Sequence, residues 1–376
     1  MIKYLKELNK EDLNNKKILL RADFNVALKD ETIAESFRIK AVKETIDYLV
    51  ENGAKVMLVS HISEIESFEP IVEEIGFYLS QTLTLVPHSE LKNVDRCFGT
   101  GPVLLLDNIR QDKREFTNDD DFAREIAEGF DIYVNDAFAV SHREQASVCA
   151  ITKYLPSYAG LLMKRELDNL SEVVTAPKTG KTLILGGAKI STKLPVIKNF
   201  IGKADNILIG GAIANNFFHA LGIEIGSSVF EPDSKISVEH DQLSLPVDMI
   251  ISDDKSGRGK VETKQVESIE SNQMILDIGP RTIENFLETI DKSSMVIWNG
   301  PMGLFETKEF SKGTEEIAKA VARRPKTIIG GGDTIAAVGT LGLLEKYSFV
   351  STGGGAMLEF LAGRKLPALA SLGYYE

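Results

Sequence analysis

The sequence predicts an α/β fold: two domains, each a parallel sheet covered by helices, joined by one helix. Three observations lead there. A chain of 376 residues exceeds what a single hydrophobic core comfortably serves. Short Ile/Val/Leu-rich runs recur along it, each followed by a turn and an apolar repeat of helical period. The residues that end those runs change character near mid-chain, from Asp, Asn, His and Arg to clusters of glycine.

Four runs occupy the first half: Lys16–Val26, 54–61, 102–108 and 131–139. They are nearly continuous in apolar residues rather than alternating, so they read as strands covered on both faces. Such strands require parallel sheets with right-handed helical crossovers. Met163, Leu167, Leu170 and Val174 then recur at helical spacing and place a joining helix over 156–175. Six further runs follow, at 181–189, 206–214, 247–254, 295–303, 326–334 and 348–356. The expected domains are 1–155 and 176–359.

The charge balance, 43 basic against 55 acidic residues, leaves a net of −12. That argues against non-specific binding to nucleic acid or to an anionic membrane. Two cysteines, Cys97 and Cys149, with no paired spacing, argue against a metal finger or a disulfide framework and favour a reducing compartment. The first residues, "MIKYLKELNKEDL", lack an apolar signal core, and no run is long enough to span a bilayer. A cytoplasmic protein is expected.

Ligands of open α/β sheets bind beyond the carboxyl ends of the strands. In the second half those ends carry Gly187 in "GGAK", Gly211 in "GGA", Asn299 in "NGPMG", Gly331 and Gly332 in "GGGDT", and "TGGGA" at 352–356. A tight turn accounts for any one of these. Five together point to a nucleotide crevice, where bare backbone and helix N-termini meet phosphate. Neither GxxxxGK[ST] nor a strand-linked GxGxxG occurs, so the crevice is neither a P-loop nor a dinucleotide site. Asp333 and Thr334 stand where a helix begins. They either cap it or supply a magnesium-side carboxylate and a phosphate-binding hydroxyl. Lys189 and Lys193, four apart, share a helical face and are either solvated or donate to a polyphosphate. Glu306 is either a surface acid or an acceptor for ribose hydroxyls.

In the first half, Asp23, Asn25, Arg38, His61, Arg110, His142 and Arg143 fall at run ends or helix starts. So many cationic and hydrogen-bonding groups on one sheet edge of an acidic protein imply an anionic substrate, because Arg grips phosphate and carboxylate bidentately.

The segments "RADFNV", "FRIKA", "LLLDNIR", "DIYVNDAFAVSHRE", "LGGAKISTK", "IGGAIANNF", "DIGPRT", "WNGPMGLFE", "GGGDT" and "STGGGAMLEFLAG" occur in this order, and the chain so resembles the phosphoglycerate kinases over nearly its whole length. The resemblance implies two Rossmann-like domains joined by a helix and hinge, with residues 360–376 returning to the first domain. It implies reversible phosphoryl transfer between 1,3-bisphosphoglycerate/ADP and 3-phosphoglycerate/ATP in glycolysis, by a monomer using Mg2+ with the nucleotide. It assigns Asp23, Asn25, Arg38, His61, Arg110 and Arg143 to the acid substrate. To the nucleotide it assigns Gly187, Lys193, Gly211, Asn299, Glu306, Gly331, Gly332, Asp333 and Thr334, with Asp333 beside the metal. Arg38, Lys189 and Lys193 become the catalytic cations around a metaphosphate-like group, and hinge closure brings the two halves of the reaction together.

The pattern breaks after His61. Where the family reads leucine–glycine–arginine–proline, this chain reads "HISEIESFEP": the arginine is missing, Glu64 stands near its place, and the loop is short. A charge-assisted hydrogen bond is worth roughly 1.5–3 kcal/mol, so its loss predicts acid binding weaker by about 10- to 150-fold. Lys113 or Arg114 is a candidate replacement. Gln145 stands where a second histidine is common, and the segment 229–247 is shortened. The alternative to a working kinase is a non-catalytic, nucleotide-binding relative with a degenerate substrate loop.

Overall fold

The computed structural model describes residues 1–232, 236 and 240–376. The chain divides into two compact units, Met1–Asp168 with Lys365–Glu376, and Asn169–Arg364.

The first unit is built on six parallel strands, β1 (Lys17–Arg21), β2 (Lys55–Val59), β3 (Thr84–Val86), β4 (Val103–Leu106), β5 (Ile132–Asn135) and β6 (Ser157–Ala159), in the order β3-β4-β2-β1-β5-β6. Side chains alternate between faces along a strand. Ile18, Leu20, Val56, Leu58, Val103 and Leu105 accordingly enter one core, and Leu19, Met57, Val59 and Leu104 the other. Burial on both faces is the reason these strands read as continuous apolar runs. β3 and β6 did not stand out in the sequence: they are short edge strands of partly exposed residues.

The second unit carries a parallel sheet of β7 (Lys181–Leu185), β8 (Asn206–Ile209), β9 (Leu243–Ser244), β13 (Met295–Asn299), β14 (Lys326–Gly330) and β15 (Phe349–Ser351), in the order β9-β8-β7-β13-β14-β15. The run at 247–254 corrects the expectation of parallel pairing. It forms β10 (Asp248–Ser252), which pairs antiparallel with β11 (Glu262–Gln265) and β12 (Met274–Ile278) in a separate three-stranded sheet. The connections between these strands hold no crossover helix, and antiparallel pairing is what short connections permit. Within the shortened segment 229–247, residues 233–235 and 237–239 lie outside the described residues.

The joining helix, expected from 156, begins at Leu161 and ends at Thr175, because Ser157–Ala159 is drawn into the sheet. Asp136 is wholly buried, and its carboxylate accepts from the Met163 N–H in the first turn (2.8 Å). A side chain at Gly160 would collide with that carboxylate, which explains the glycine. At the other end the buried Lys181 ammonium donates to the Val173 and Ala176 carbonyls, 2.7 Å each. The Lys181 charge at the carboxyl end complements the helix dipole. The C-terminal return starts at Lys365 rather than 360, since helix Gly354–Leu361 belongs to the second unit. Ala368 donates to the Ser141 carbonyl (3.1 Å) and packs with Ala137, Val140, Val148 and Cys149.

Candidate functional site

In the first unit the cationic residues collect at the carboxyl ends of β1, β2, β4 and β5. Asp23 lies just past β1 and is nearly buried; its carboxylate stands 3.4 Å from Arg38 and 3.9 Å from His61 Nδ1. Arg38, in the short helix Phe37–Ala41, also donates to the Asn25 carbonyl at 2.8 Å. The Asn25 side-chain oxygen accepts from the Ser63 N–H at 2.9 Å, and Ser63 Oγ accepts from Arg110 Nη1 at 3.0 Å. Asp23, Asn25, Arg38, His61 and Arg110 therefore form one connected group. Arg143, in the loop after β5, belongs to it by charge: with Arg21 it lowers the proton affinity of both His61 and Arg110.

Arg21 is the member sequence reasoning missed. It ends β1, is fully buried, and donates to Ser147 Oγ (2.9 Å), to the Ala22 carbonyl and to His61 Nδ1 (3.3 Å). Ser147 passes the connection on, donating to the buried Glu115 at 2.7 Å. Burial, then Arg21, Arg110, Arg143 and Arg38, push the His61 pKa far below its ordinary value, so the imidazole is neutral. An arginine can only donate, so Nδ1 accepts and the proton sits on Nε2. That Nε2, and Nε and Nη2 of Arg110, are buried with no hydrogen-bond partner. Arg110 is pushed down to about 10 by burial, then by Arg143 and Arg21. Buried donors without acceptors among like charges are what an anion would complete.

The altered loop after His61 is well held. Asn108 exchanges hydrogen bonds with Ile62 and donates to the Ile65 carbonyl (3.0 Å), and Phe68 N–H donates to Asp107 (2.8 Å). Glu64 turns to the Leu28 N–H, which donates to it at 2.8 Å. Arg114 is committed elsewhere, paired with Asp112 and Glu125 and stacked on Phe122. Of the two candidate replacements only Lys113, exposed, is left uncommitted among the described residues.

In the second unit a cleft of about 330 Å³ opens at the carboxyl ends of the parallel strands. Gly187, Ala188, Gly211 and Ala212 form one bare wall, Met249, Met274, Leu276 and Leu304 an apolar one, and Glu306 and Asp333 stand at it as carboxylates. Gly211 has φ +60°, and a Cβ there would lie 2.6 Å from the Gly187 nitrogen, so the wall is bare by necessity. The Lys193 ammonium faces this wall, 3.6 Å from where a Gly187 Cβ would stand. Burial lowers the Lys193 pKa, while Asp333 and Glu231 raise it. Lys189 is exposed at the start of helix Ile190–Phe200.

Two helix N-termini face different fates. Glu231 accepts from Ser191 N–H (2.7 Å) and Ser191 Oγ (3.1 Å), which fills the first turn of Ile190–Phe200. The helix Gly332–Thr340 has no side-chain cap; it follows Gly331 at φ +98°, and a Cβ on Gly332 would meet nothing within 4 Å. That open start of positive dipole has the chemistry an anion would complete. Asn299 and Thr334 support it from beneath. Asn299 Nδ2 donates to the Gly330 carbonyl (2.8 Å), and the fully buried Thr334 Oγ1 accepts from Gly300 N–H (2.7 Å). Asp277, which also lines the cleft, accepts from Gly313 N–H at 2.7 Å, and burial pushes its carboxyl up to about 7.

The family model described as phosphoglycerate kinase matches residues 8–364 of this chain. The chain is 41% identical to the phosphoglycerate kinase of Dictyoglomus turgidum, covering 98% of each, and 41% identical to that of Thermosipho africanus, covering 96% of each. Among solved structures it is similar to the phosphoglycerate kinase of Coxiella burnetii, with a TM-score of 0.84 and 34% identity over 100% of this chain and 99% of the other. It is also similar to that of Pyrococcus horikoshii, with a TM-score of 0.87 and 30% identity over 99% and 98%.

Proposed function

The chain belongs to the phosphoglycerate kinase family, and from that membership we propose how its two units divide the family's reaction. The reaction is reversible phosphoryl transfer between 1,3-bisphosphoglycerate/ADP and 3-phosphoglycerate/ATP, in glycolysis. The first unit takes the acid at Asp23, Asn25, Arg38, His61, Arg110 and Arg143. The second takes the nucleotide, with the purine in the cleft, the ribose at Glu306 and the phosphates along Lys193 and the Gly331–Gly332 turn. The observation that carries this division is the uncapped helix start at Gly332, open to solvent beside that cleft.

Transfer of this kind needs positioning and charge neutralisation, not a protein nucleophile. The acceptor is the carboxylate of the acid substrate. Asp23 and the Asn25 carbonyl hold the Arg38 guanidinium in place, and neutral His61 donates from Nε2. Lys193, Lys189 and the N–H groups of the first turn of Gly332–Thr340 spread the charge of the transferring group. Among the described residues no cluster of three or more metal-ligating side chains exists. That suits magnesium, which is held by one or two carboxylates together with substrate phosphates and water. Asp333 is the carboxylate that would hold it, and the ion would neutralise phosphate charge. Nothing in the fold favours the non-catalytic alternative. No helix among the described residues is long and apolar enough to cross a membrane; a cytoplasmic monomer is the proposed setting, and sedimentation reads the oligomeric state.

A coupled assay of ATP-dependent phosphorylation of 3-phosphoglycerate tests the reading. Turnover is expected. Nucleotide binding without turnover at millimolar 3-phosphoglycerate contradicts it.

A further inference from the structure

Arg110 is held in an unusual way for a cation in an anion site. No carboxylate pairs with its side chain among the described residues. Instead Nη1 donates to the hydroxyl of Ser63 at 3.0 Å, and the guanidinium carbon lies over the Phe116 ring, 5.2 Å from its centroid. The two remaining edge nitrogens, Nε and Nη2, are buried with no partner. Those two atoms form one side of the guanidinium fork, the side that matches two oxygens of a phosphate or carboxylate. A flexible arginine loses rotamer freedom when it binds, and anything that fixes it beforehand lowers that cost.

Ser63 is itself fixed, since its N–H donates to Asn25 Oδ1 at 2.9 Å and its neighbour Ile62 is tied to Asn108. Phe116 is half-exposed, which for a large aromatic side chain is otherwise unproductive, and its face supplies the electron density a guanidinium seeks. An acid in place of Ser63 would hold Arg110 as well but would neutralise it. A hydroxyl and a ring fix the group and leave its charge for the ligand.

We infer that Ser63 and Phe116 are positioning residues for the acid substrate: together they aim the Nε/Nη2 edge of Arg110 at one anionic group of 3-phosphoglycerate. This rests on the acid site proposed above. It also gives the altered loop a purpose, because the residue after Ile62 contributes through Arg110 what position 64 does not supply as a cation.

The test is the effect of Ser63→Ala and Phe116→Leu on KM for 3-phosphoglycerate, against kcat and KM for ATP. Each single change is expected to raise the acid KM about 3- to 10-fold, the size of one modest interaction, with kcat and the ATP KM unchanged. Ser63→Thr and Phe116→Tyr restore the wild-type value. Ser63 is exposed and both replacements keep the backbone, so a folding defect is not at stake for that pair. Calorimetric titration with 3-phosphoglycerate reads the same contact without turnover. A chain that is inactive yet shows a Ser63-dependent Kd loses the kinase reading and keeps this one. An acid KM and Kd indifferent to both changes, or a loss shared equally with ATP, overturns it.

Discussion

On the proposed division of the reaction, the two units grip anions by opposite means. The first uses side chains: guanidinium groups and an imidazole held by Asp23, Asn25, Ser63 and Ser147. The second uses backbone: a glycine turn and an uncapped helix, with Lys193 as the cation facing the bare wall. The difference teaches where each site is vulnerable. A side-chain site is edited one contact at a time, and this chain has lost one expected arginine without losing the rest. A backbone site tolerates almost any change that keeps its glycines, and fails where a Cβ is forced in.

The largest effect separates the two halves outright. Arg38→Ala is expected to lower kcat by at least about a thousandfold, the scale of losing a cation at a transferring phosphoryl group. ADP affinity measured by calorimetry stays near wild type; an equal loss of both breaks the division of labour.

The next prediction contrasts two glycines of the backbone site. Gly332→Ala meets no neighbour within 4 Å, so melting temperature is unchanged or slightly raised, while the ADP Kd rises about tenfold as the methyl group blocks the approach to the helix start. Gly211→Ala adds a Cβ 2.6 Å from the Gly187 nitrogen in a left-handed backbone conformation, and should destabilise the fold by about 1–3 kcal/mol. Thermal melts beside nucleotide titrations sort the two.

The units also share a device. Asp136 and Asp277 are buried acids that accept helix N–H groups, and burial raises each to about 7. Folding raises these pKa values above the unfolded 3.8, so the folded chain holds the protons more tightly. Their stabilisation is full at low pH and is lost as pH rises through about 7. Asp136→Asn and Asp277→Asn lack that titration. The melting temperature of each variant relative to wild type should therefore rise by several degrees between about pH 5 and 8. A flat difference would show that the site titrates normally.

The smallest effect concerns Glu64. Its carboxylate is turned to the Leu28 N–H, so Glu64→Gln should change the acid KM by less than about threefold. A tenfold gain in affinity would mean that the carboxylate repels the substrate after all.

Much of this was legible in the sequence, for identifiable reasons. Strands such as Lys17–Arg21 and Met295–Asn299 are buried on both faces and announce themselves as apolar runs. The strand Glu262–Gln265, "ETKQ", sits on an antiparallel edge and carries no apolar signal, and Ser157–Ala159 is too short to separate from the helix after it. In the proposed acid site, charged residues at strand ends stood out because Arg38, Arg110 and Arg143 are conspicuous on an acidic chain. Arg21 ends an apolar run and is fully buried, and an arginine in such a run is itself a signal of a buried charge. The floor of the cleft in the second unit was hidden, since Met249, Met274, Leu276 and Leu304 are indistinguishable from core until the fold leaves a space beside them. Thr334, read from the sequence as a helix cap or a phosphate-binding hydroxyl, also ties the Gly300 turn to the helix start.

A crystal structure of the chain with bound Mg-ADP tests the central claim most directly. The terminal phosphate is expected within hydrogen-bond distance, about 2.7–3.2 Å, of the N–H groups that open the helix at Gly332. A phosphate seated anywhere else, with that turn left facing water, contradicts the account.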